Sequence, residues 1–285
     1  YPITIVPQSM FERLPSSPDA VQAWIDDETA VLRASLEAAE QNGNQSKSTV
    51  KRIEKAIAQM EARLERAAAV DNKDGIVPFD LLGIDALVID EIHGWKRLPI
   101  SSSLPGMSDT GSQRAVDLAV KLHTMRATAR HGLSVLGLTG TYVTNRVSEI
   151  WTMMRYLAPE VLDSAGTSQF DDWAAVHAET VTTMEMNPTG SGWRESSRIA
   201  MYKNMPELMG QVTSFANLMS AEELEIERPD TEIVVITSPA TSDLADFVVT
   251  LVERAEACTG RRTKEELAED NMLKVVNDGR LAALD

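Results

Sequence analysis

Short apolar runs alternate with longer amphipathic stretches over the first 160 residues. The runs "ALVI" and "SVLGL" are continuously apolar, which is typical of parallel strands buried on both faces. Helical periodicity follows each run. The order strand, helix, strand, helix therefore predicts an α/β fold with a doubly wound parallel sheet. The predicted strands are residues 3–6, 86–89 and 134–138, and the predicted helices are residues 8–14, 113–129 and 147–162.

Residues 18–70 interrupt this α/β pattern. A Ser-Pro-Asp start with acids in the first turns begins one long helix, and the polar stretch "QNGNQSKS" ends it. A second helical stretch follows, with apolar residues at three- and four-residue spacing. Two long helices joined by a short polar turn predict an inserted antiparallel helical hairpin.

Helical patterns dominate beyond about residue 161. They cover residues 167–179, 197–219 and 241–257, and one β-branched run at 231–237 predicts a strand between the last two. The predicted organisation has three parts. Residues 1–17 and 71–160 form a partial α/β lobe, residues 18–70 the inserted hairpin, and residues 161–285 a mostly helical extension.

Charge narrows the classes of partner. The chain has 285 residues and a net charge of −16, which argues against a surface that binds nucleic acid over its whole extent. Residues 112–160 nevertheless contain six Lys/Arg against three acids. This excess is either a local phosphate-binding face or a chance fluctuation.

The chain shows no signal for export or membrane insertion. Cys258 is the only cysteine, so no internal disulfide forms, which fits a reducing compartment. No stretch approaches the roughly 18 apolar residues of a membrane span, and there is no basic-plus-apolar leader. We therefore expect a cytoplasmic protein. Because the chain opens at Tyr1 inside an apolar run, we also expect it to be a piece of a longer polypeptide.

Polar residues follow both central strands at the point where each ends. Asp90-Glu91-Ile92-His93 follows the first strand and Thr139-Gly140-Thr141 the second. Ligands of open parallel sheets bind at this edge. There an aspartate can hold Mg²⁺, and a neighbouring glutamate can orient water for attack on a phosphoryl group. The alternative is that both acids only solvate a strand end.

Four segments carry a resemblance to a known family. "FDLLGIDALVIDEIHGWKRL" and "LTGTYVTNRVSEIWTMMRYLAPEVL" resemble the first motor lobe of superfamily-two DNA translocases of the Swi/Snf-like, DEAH-box type. "ITIVPQSMFERL" resembles the upstream DNA-contacting strand of that family, and "FDDWAAVHAE" its Phe-x-x-Trp segment. Within that family, the chain most resembles large phage- or plasmid-encoded helicase-like proteins, some of which are fused to adenine methylases or linked to antirestriction. The matching residues are Asp90, Glu91, His93, Lys96, Leu138, Thr139, Gly140, Thr141, Asn145, Glu149, Trp151, Leu157, Pro159 and Glu160.

The resemblance implies a partial RecA-like lobe that uses ATP and Mg²⁺ and acts on duplex DNA in a bacterial or phage setting. Asp90 would coordinate the Mg²⁺ of ATP, and Glu91 would activate the attacking water. His93 would link this nucleotide site to the turn of Thr139, Gly140 and Thr141, which couples hydrolysis to DNA movement.

Three further residues are implied on the nucleic-acid side, namely Ser9, Lys96 and Asn145. Ser9 and Asn145 are interpreted equally well as turn residues whose side chains hydrogen-bond to their own backbone.

Two departures from the family pattern limit these expectations. Tyr142 stands where the family has proline. No G-x-x-x-x-G-K-[ST] motif and no Gly-Lys dipeptide occurs in the 285 residues, so nothing in them cradles the β and γ phosphates. We expect that loop upstream of the chain and the second lobe beyond Asp285, so that the chain alone does not hydrolyse ATP.

Two alternatives remain open at this point. One is a degenerate motor lobe that acts as a non-enzymatic scaffold and binds a protein partner through the hairpin 18–70. The other is a metal-dependent nuclease that uses Asp90 and Glu91, which needs further carboxylates at the same place. The four histidines share no metal-ligand spacing, and no G-x-S-x-G elbow points to a serine hydrolase.

Overall fold

The computed structural model divides the chain into two compact units. Unit 1 contains residues 1–181 and 198–218, and unit 2 contains residues 182–197 and 219–285. The residues that the structure describes are 3–42, 54, 57–58, 62, 76–102, 104, 107–128, 134–144, 146–186, 193–220, 223–224, 231–237, 239–258 and 263–283.

A small parallel sheet lies in unit 1. Strand β1 (Ala86–Asp90) pairs with strand β2 (Ser134–Leu138), in a register that runs from Ala86 opposite Ser134 to Asp90 opposite Leu138. Helix α3 (Gln113–Thr128) lies between them in the chain, as a parallel crossover requires. The predicted α/β class is confirmed: a small parallel sheet combined with helices, consistent with a partial RecA-like lobe.

One face of this sheet is covered, and among the described residues the other face is exposed. Ile89 is buried, and Gly137 lies so close to Ile92 that a Cβ at this position would stand 2.8 Å from the Ile92 Cδ1 atom. On the opposite face, Val88 is 63% and Leu136 54% exposed. The expectation that both strands are buried on both faces is therefore wrong for this structure, since their apolar outer face meets solvent.

Helices build the rest of unit 1 around an aromatic core. Trp95, Phe79 and Trp173 are buried, and the hydroxyl of buried Tyr156 lies 3.1 Å from the Trp95 carbonyl and 2.9 Å from the Ala115 carbonyl. These contacts tie helix α4 (Ser148–Leu157) to α3 and to the turn after β1. Apart from α3, the helices of unit 1 are α1 (Gln8–Phe11), α2 (Pro18–Asn42), α4 (Ser148–Leu157), α5 (Pro159–Ser164), α6 (Phe170–His177) and α7 (Met205–Phe215).

The first arm of the predicted hairpin is confirmed as helix α2, which packs against α3 through a buried face that includes Trp24 and Ile25. Residues 54, 57–58 and 62 are also helical. The remainder of the second arm lies outside the described residues, so the hairpin's antiparallel packing stays a prediction.

Two predicted strands are wrong. Residues 3–6 and 231–237 have no regular secondary structure, and their apolar side chains are largely exposed, with Ile5 93% and Ile233 89% exposed. A strand is stable only where a neighbouring strand accepts and donates its backbone hydrogen bonds. Neither segment pairs with a described strand, so β-branched composition alone does not make them strands.

A second two-stranded sheet was not predicted. Strands β3 (Ala178–Met186) and β4 (Trp193–Tyr202) pair with each other, so the predicted helix over 197–219 is wrong over residues 197–202. Helix α7 then begins at Met205, after Asn204 in the left-handed conformation. The run "TVTTMEM" in β3 is rich in β-branched residues and was the available signal for this strand.

Unit 2 contains helices α8 (Ser242–Ala257), α9 (Lys264–Glu269) and α10 (Met272–Ala282), of which α8 confirms a predicted helix. Arg254 joins these helices: its Nε and Nη2 atoms lie 2.8 and 2.9 Å from the Asp270 carboxylate, and Nη2 lies 2.9 Å from Asp278 Oδ2. In the part of the chain that the structure describes, no helix is both long and apolar enough to span a bilayer.

Candidate functional site

The two strand ends meet at one edge of the sheet, because Asp90 and Leu138 are register partners. Asp90 is exposed, and its Oδ1 atom accepts the Glu91 N–H at 3.1 Å. Its carbonyl oxygen accepts the Gln8 side-chain N–H at 2.7 Å. The carboxyl end of β1 thus presents a carboxylate to solvent and is tied through its backbone to helix α1.

Glu91 ends the strand by adopting the left-handed conformation, with φ 51° and ψ 46°. This conformation costs a residue with a Cβ on the order of 1 kcal/mol. The chain then enters a 3₁₀ turn (Ile92–Trp95), whose Ile92 and Trp95 side chains are buried. Burial of these two side chains leaves Glu91 and His93 on the outer side of the turn, where the Glu91 side chain is 57% exposed.

His93 connects the acid pair to the second strand end. Its Nδ1 atom lies 2.9 Å from the Thr139 hydroxyl and 3.0 Å from Glu91 Oε2. The same hydroxyl accepts the Thr141 N–H at 3.0 Å, which closes the Thr-Gly-Thr turn. The structure therefore brings together Glu91, His93, Thr139 and Thr141.

Gly140, at the centre of this turn, is not required by local packing. A Cβ placed there would meet nothing within 4 Å, and its backbone is not in the left-handed region. A glycine at such a position is useful where another molecule approaches the backbone closely, because a side chain would block that approach.

A buried carboxylate makes the second link between the two loops. Glu149, on α4, is only 2% exposed; it lies 3.3 Å from Lys96 Nζ and accepts the Thr144 N–H at 2.6 Å. The Lys96 side chain is 17% exposed. Lys96, predicted on the nucleic-acid side, is thus engaged in a partly buried ion pair that joins the turn after β1 to the loop after β2.

Helix α1 carries the predicted residue Ser9, which is exposed beside Gln8. Buried Lys121 holds this helix: its Nζ donates to the Phe11 carbonyl at 3.0 Å, lies 4.4 Å from the centre of the Phe11 ring and binds Asp117. Burial lowers the pKa of Lys121. Sequence reasoning missed both Gln8 and Lys121, because no local pattern shows that residues 82 and 110 positions away are their partners.

Two other residues singled out from the sequence have different outcomes. Asn145 lies outside the described residues. Tyr142, which stands where the motif resemblance implies proline, is half-buried against the core. Burial raises the pKa of its hydroxyl, and the structure shows no hydrogen-bond partner for that hydroxyl among the described residues.

The residues at this edge fit a magnesium ion that a single carboxylate holds. Asp90 offers hard, exposed oxygen atoms, and Mg²⁺ commonly takes one or two carboxylates together with phosphate oxygens and water. Within the described ranges, no three His, Cys, Asp or Glu side chains form a metal-binding group. The convergent carboxylates that a metal-dependent nuclease needs are therefore not found in this part of the chain.

Comparison with known families gives one match. Residues 1–218 match the family described as "Probable helicase domain", a span that includes both strands of the parallel sheet and both loops at their carboxyl ends. No curated protein and no solved structure matches the chain.

Proposed function

Because the chain belongs to the family of probable helicase domains, we propose that it is part of an ATP-dependent DNA translocase of the Swi/Snf-like, DEAH-box type. The observation that carries this proposal is the His93 contact between the two strand ends, at 2.9 Å from Thr139 and 3.0 Å from Glu91. It joins an acid pair suited to Mg²⁺ and water to the Thr139–Thr141 turn at the end of the second strand.

Asp90 is the residue that holds Mg²⁺, which when bound with ATP neutralises phosphate charge. Glu91 orients water, because its carboxylate is half-exposed and adjacent to Asp90. His93 fixes that carboxylate relative to Thr139. A change in the conformation of the Thr139–Thr141 turn therefore shifts the Glu91 carboxylate. This shift couples nucleotide chemistry to movement of the second loop.

The proposed substrate surface is local, since a body with net charge −16 repels duplex DNA elsewhere. Ser9, Lys96 and Asn145 are its candidate contacts. Lys96 reaches a DNA phosphate only by sharing or leaving Glu149. The 285 residues contain no Gly-Lys dipeptide, so the β and γ phosphates need a cradle supplied by other residues of the working protein.

ATP hydrolysis by the native protein, expressed in full, tests this function. We expect duplex DNA to stimulate hydrolysis, and Asp90→Asn and Glu91→Gln each to lower the rate at least about 100-fold, the scale of lost acid–base assistance. Asp85→Asn is the matched control. Asp85 is an exposed acid that directly precedes the first residue of β1, at the end of the strand opposite Asp90. Binding of labelled ATP should persist in Glu91→Gln.

Undiminished hydrolysis in Glu91→Gln would refute the role given to Glu91. A native protein that neither hydrolyses nor binds ATP would favour the scaffold, as would the absence of a Gly-Lys-Thr/Ser loop from its whole sequence. In that case helix α2, which is 25 residues long, is the candidate surface for a protein partner.

A further inference from the structure

Two arginines from separate loops meet on one carboxylate beside the strand ends. Arg97 Nη2 lies 2.9 Å from Asp109 Oδ1, and Arg146 Nη1 binds Asp109 Oδ2. Arg97 follows Lys96 after the 3₁₀ turn, and Arg146 lies in the loop after β2. Each carboxylate oxygen therefore holds one guanidinium, and the two loops gain a third link besides His93–Thr139 and Lys96–Glu149.

Asp109 is a rigid anchor for this pair. Its backbone exchanges two hydrogen bonds with Ile100, each 2.9 Å long, and its Oδ1 atom accepts the Gly111 N–H at 2.9 Å. Gly111 has a φ of +69°, and a Cβ there would stand 2.5 Å from the Pro99 nitrogen. Only glycine fits this turn, so the backbone that carries Asp109 has one well-defined conformation.

Burial differs sharply between the carboxylate and the two cations. The Asp109 side chain is 9% exposed, whereas Arg97 is 52% and Arg146 53% exposed. Burial by itself raises the pKa of Asp109, but the hydrogen bonds from Arg97 and the Gly111 N–H, with the charges of both arginines, outweigh it and lower the pKa. The carboxylate is therefore ionised beneath two outward-facing positive groups.

Both guanidinium groups are about half exposed, so water and salt screen these ion pairs and stability alone is a weak reason for the arrangement. Its effect on binding is larger. Two guanidinium groups repel each other, and a charged carboxylate between them removes that repulsion and fixes their spacing before an anion arrives. Guanidinium groups match the oxygen geometry of phosphate better than ammonium groups do.

We propose that Arg97 and Arg146, positioned by Asp109, bind a phosphate group of the nucleic-acid backbone. This inference rests on the proposed function, because the pair stands on the same two loops that carry His93 and Thr139. It adds two contacts that the motif resemblance does not include, and it assigns to Asp109 a positioning role. The pair also supplies a local positive surface on a chain of net charge −16.

The inference is tested by measuring how tightly the full-length native protein binds a labelled 20-base-pair DNA duplex. Arg97→Gln and Arg146→Gln should each weaken binding about threefold to tenfold and lower the slope of log affinity against log salt by about one. Arg280→Gln is the matched control: it removes the same charge from an exposed arginine on helix α10 of unit 2, and should leave affinity unchanged. Thermal unfolding should place all three variants close to the wild type.

A further variant separates positioning from charge. Asp109→Asn makes the surface more positive, yet it should weaken duplex binding, because the two guanidinium groups lose their common anchor. Tighter binding by Asp109→Asn would show that Asp109 only neutralises charge, and it would overturn the positioning role.

The outcomes distinguish this inference from the proposed function. Should the wild type bind the duplex while both arginine variants bind equally well, the inference fails and the function stands. Should the wild type not bind duplex DNA, both fail. A labelled ATP analogue with Mg²⁺ supplies the second arm: loss of its binding in Arg97→Gln or Arg146→Gln, with duplex binding intact, would overturn the assignment to the nucleic-acid backbone.

Discussion

At the scale of single residues, Glu91 shows how the site depends on backbone conformation. Its left-handed φ of 51° turns the chain out of β1, and this turn lets Ile92 and Trp95 reach the core while Glu91 stays exposed. Strain of this kind is commonly found at functional positions, where the surrounding structure maintains it. A residue with a less demanding backbone, such as glycine, would make the same turn without the carboxylate.

The candidate residues were predictable to different degrees. Asp90, Glu91, His93 and Thr139 came from sequence because they follow apolar runs, and the structure places the last three in contact. Asp109 was not predictable. It lies in a Gly-, Ser- and Pro-rich loop whose composition does not indicate a partner, and its partners are 12 and 37 residues away. Pairing between distant loops depends on the tertiary fold, which local patterns do not encode.

His177 carries a prediction about pH. It is fully buried against Trp173, and the structure shows no hydrogen-bond partner for either ring nitrogen among the described residues. Burial lowers its pKa and outweighs the charge of Glu207 and the nearby Gln211 side chain, which both act to raise the pKa. Because the unfolded chain takes up this proton first, stability should fall as pH decreases below about 6.5.

The measurement is the thermal midpoint from pH 7.5 to 5, for the wild type and for His177→Phe, which keeps a ring in the same space. We expect the decline to be shallower in the variant. Identical slopes would mean that His177 is protonated equally in the folded and unfolded chains.

At the scale of elements, long periodic helices and central apolar strands were predicted well, and isolated β-prone runs were not. Helices such as α3, α4 and α8 satisfy their own backbone, so their periodicity is sufficient. Residues 3–6 and 231–237 share the composition of strands but lack a described partner strand. β3 and β4 were missed for the converse reason: each supplies the other's hydrogen bonds, and their pairing overrides a helical pattern in β4.

Two glycines at the sheet edge make an element-scale prediction. Gly137→Ala should destabilise the fold by about 1–3 kcal/mol, because its Cβ would stand 2.8 Å from Ile92 Cδ1 and push β2 from the turn after β1. Gly140→Ala, three residues on, should leave stability within about 0.5 kcal/mol, since its Cβ meets nothing within 4 Å.

Urea unfolding measures the free energy of unfolding of both variants. Equal losses of stability in the two would contradict this description of the sheet edge. If a nucleotide approaches the Thr-Gly-Thr turn, Gly140→Ala should additionally impair ATP hydrolysis in the native protein without loss of stability.

At the scale of the whole molecule, the candidate site residues that the structure describes lie in unit 1. Three polar links hold the loops after β1 and β2 together, through the pairs His93–Thr139 and Lys96–Glu149 and through Asp109. The domain boundaries predicted at residues 17, 70 and 160 stay predictions. Charge also acts at this scale, since the strongly acidic chain would repel the proposed duplex DNA away from the basic groups near the strand ends.

The central claim is that the two strand ends work as one site, and a double-mutant cycle tests it most directly. DNA-stimulated ATP hydrolysis is measured for the native protein, for His93→Ala, for Thr139→Val and for the double variant. If the 2.9 Å contact couples the two ends, the double variant should lose little more than either single variant, a coupling of about 1 kcal/mol or more. Losses that simply add, with each strand end acting independently, would contradict it.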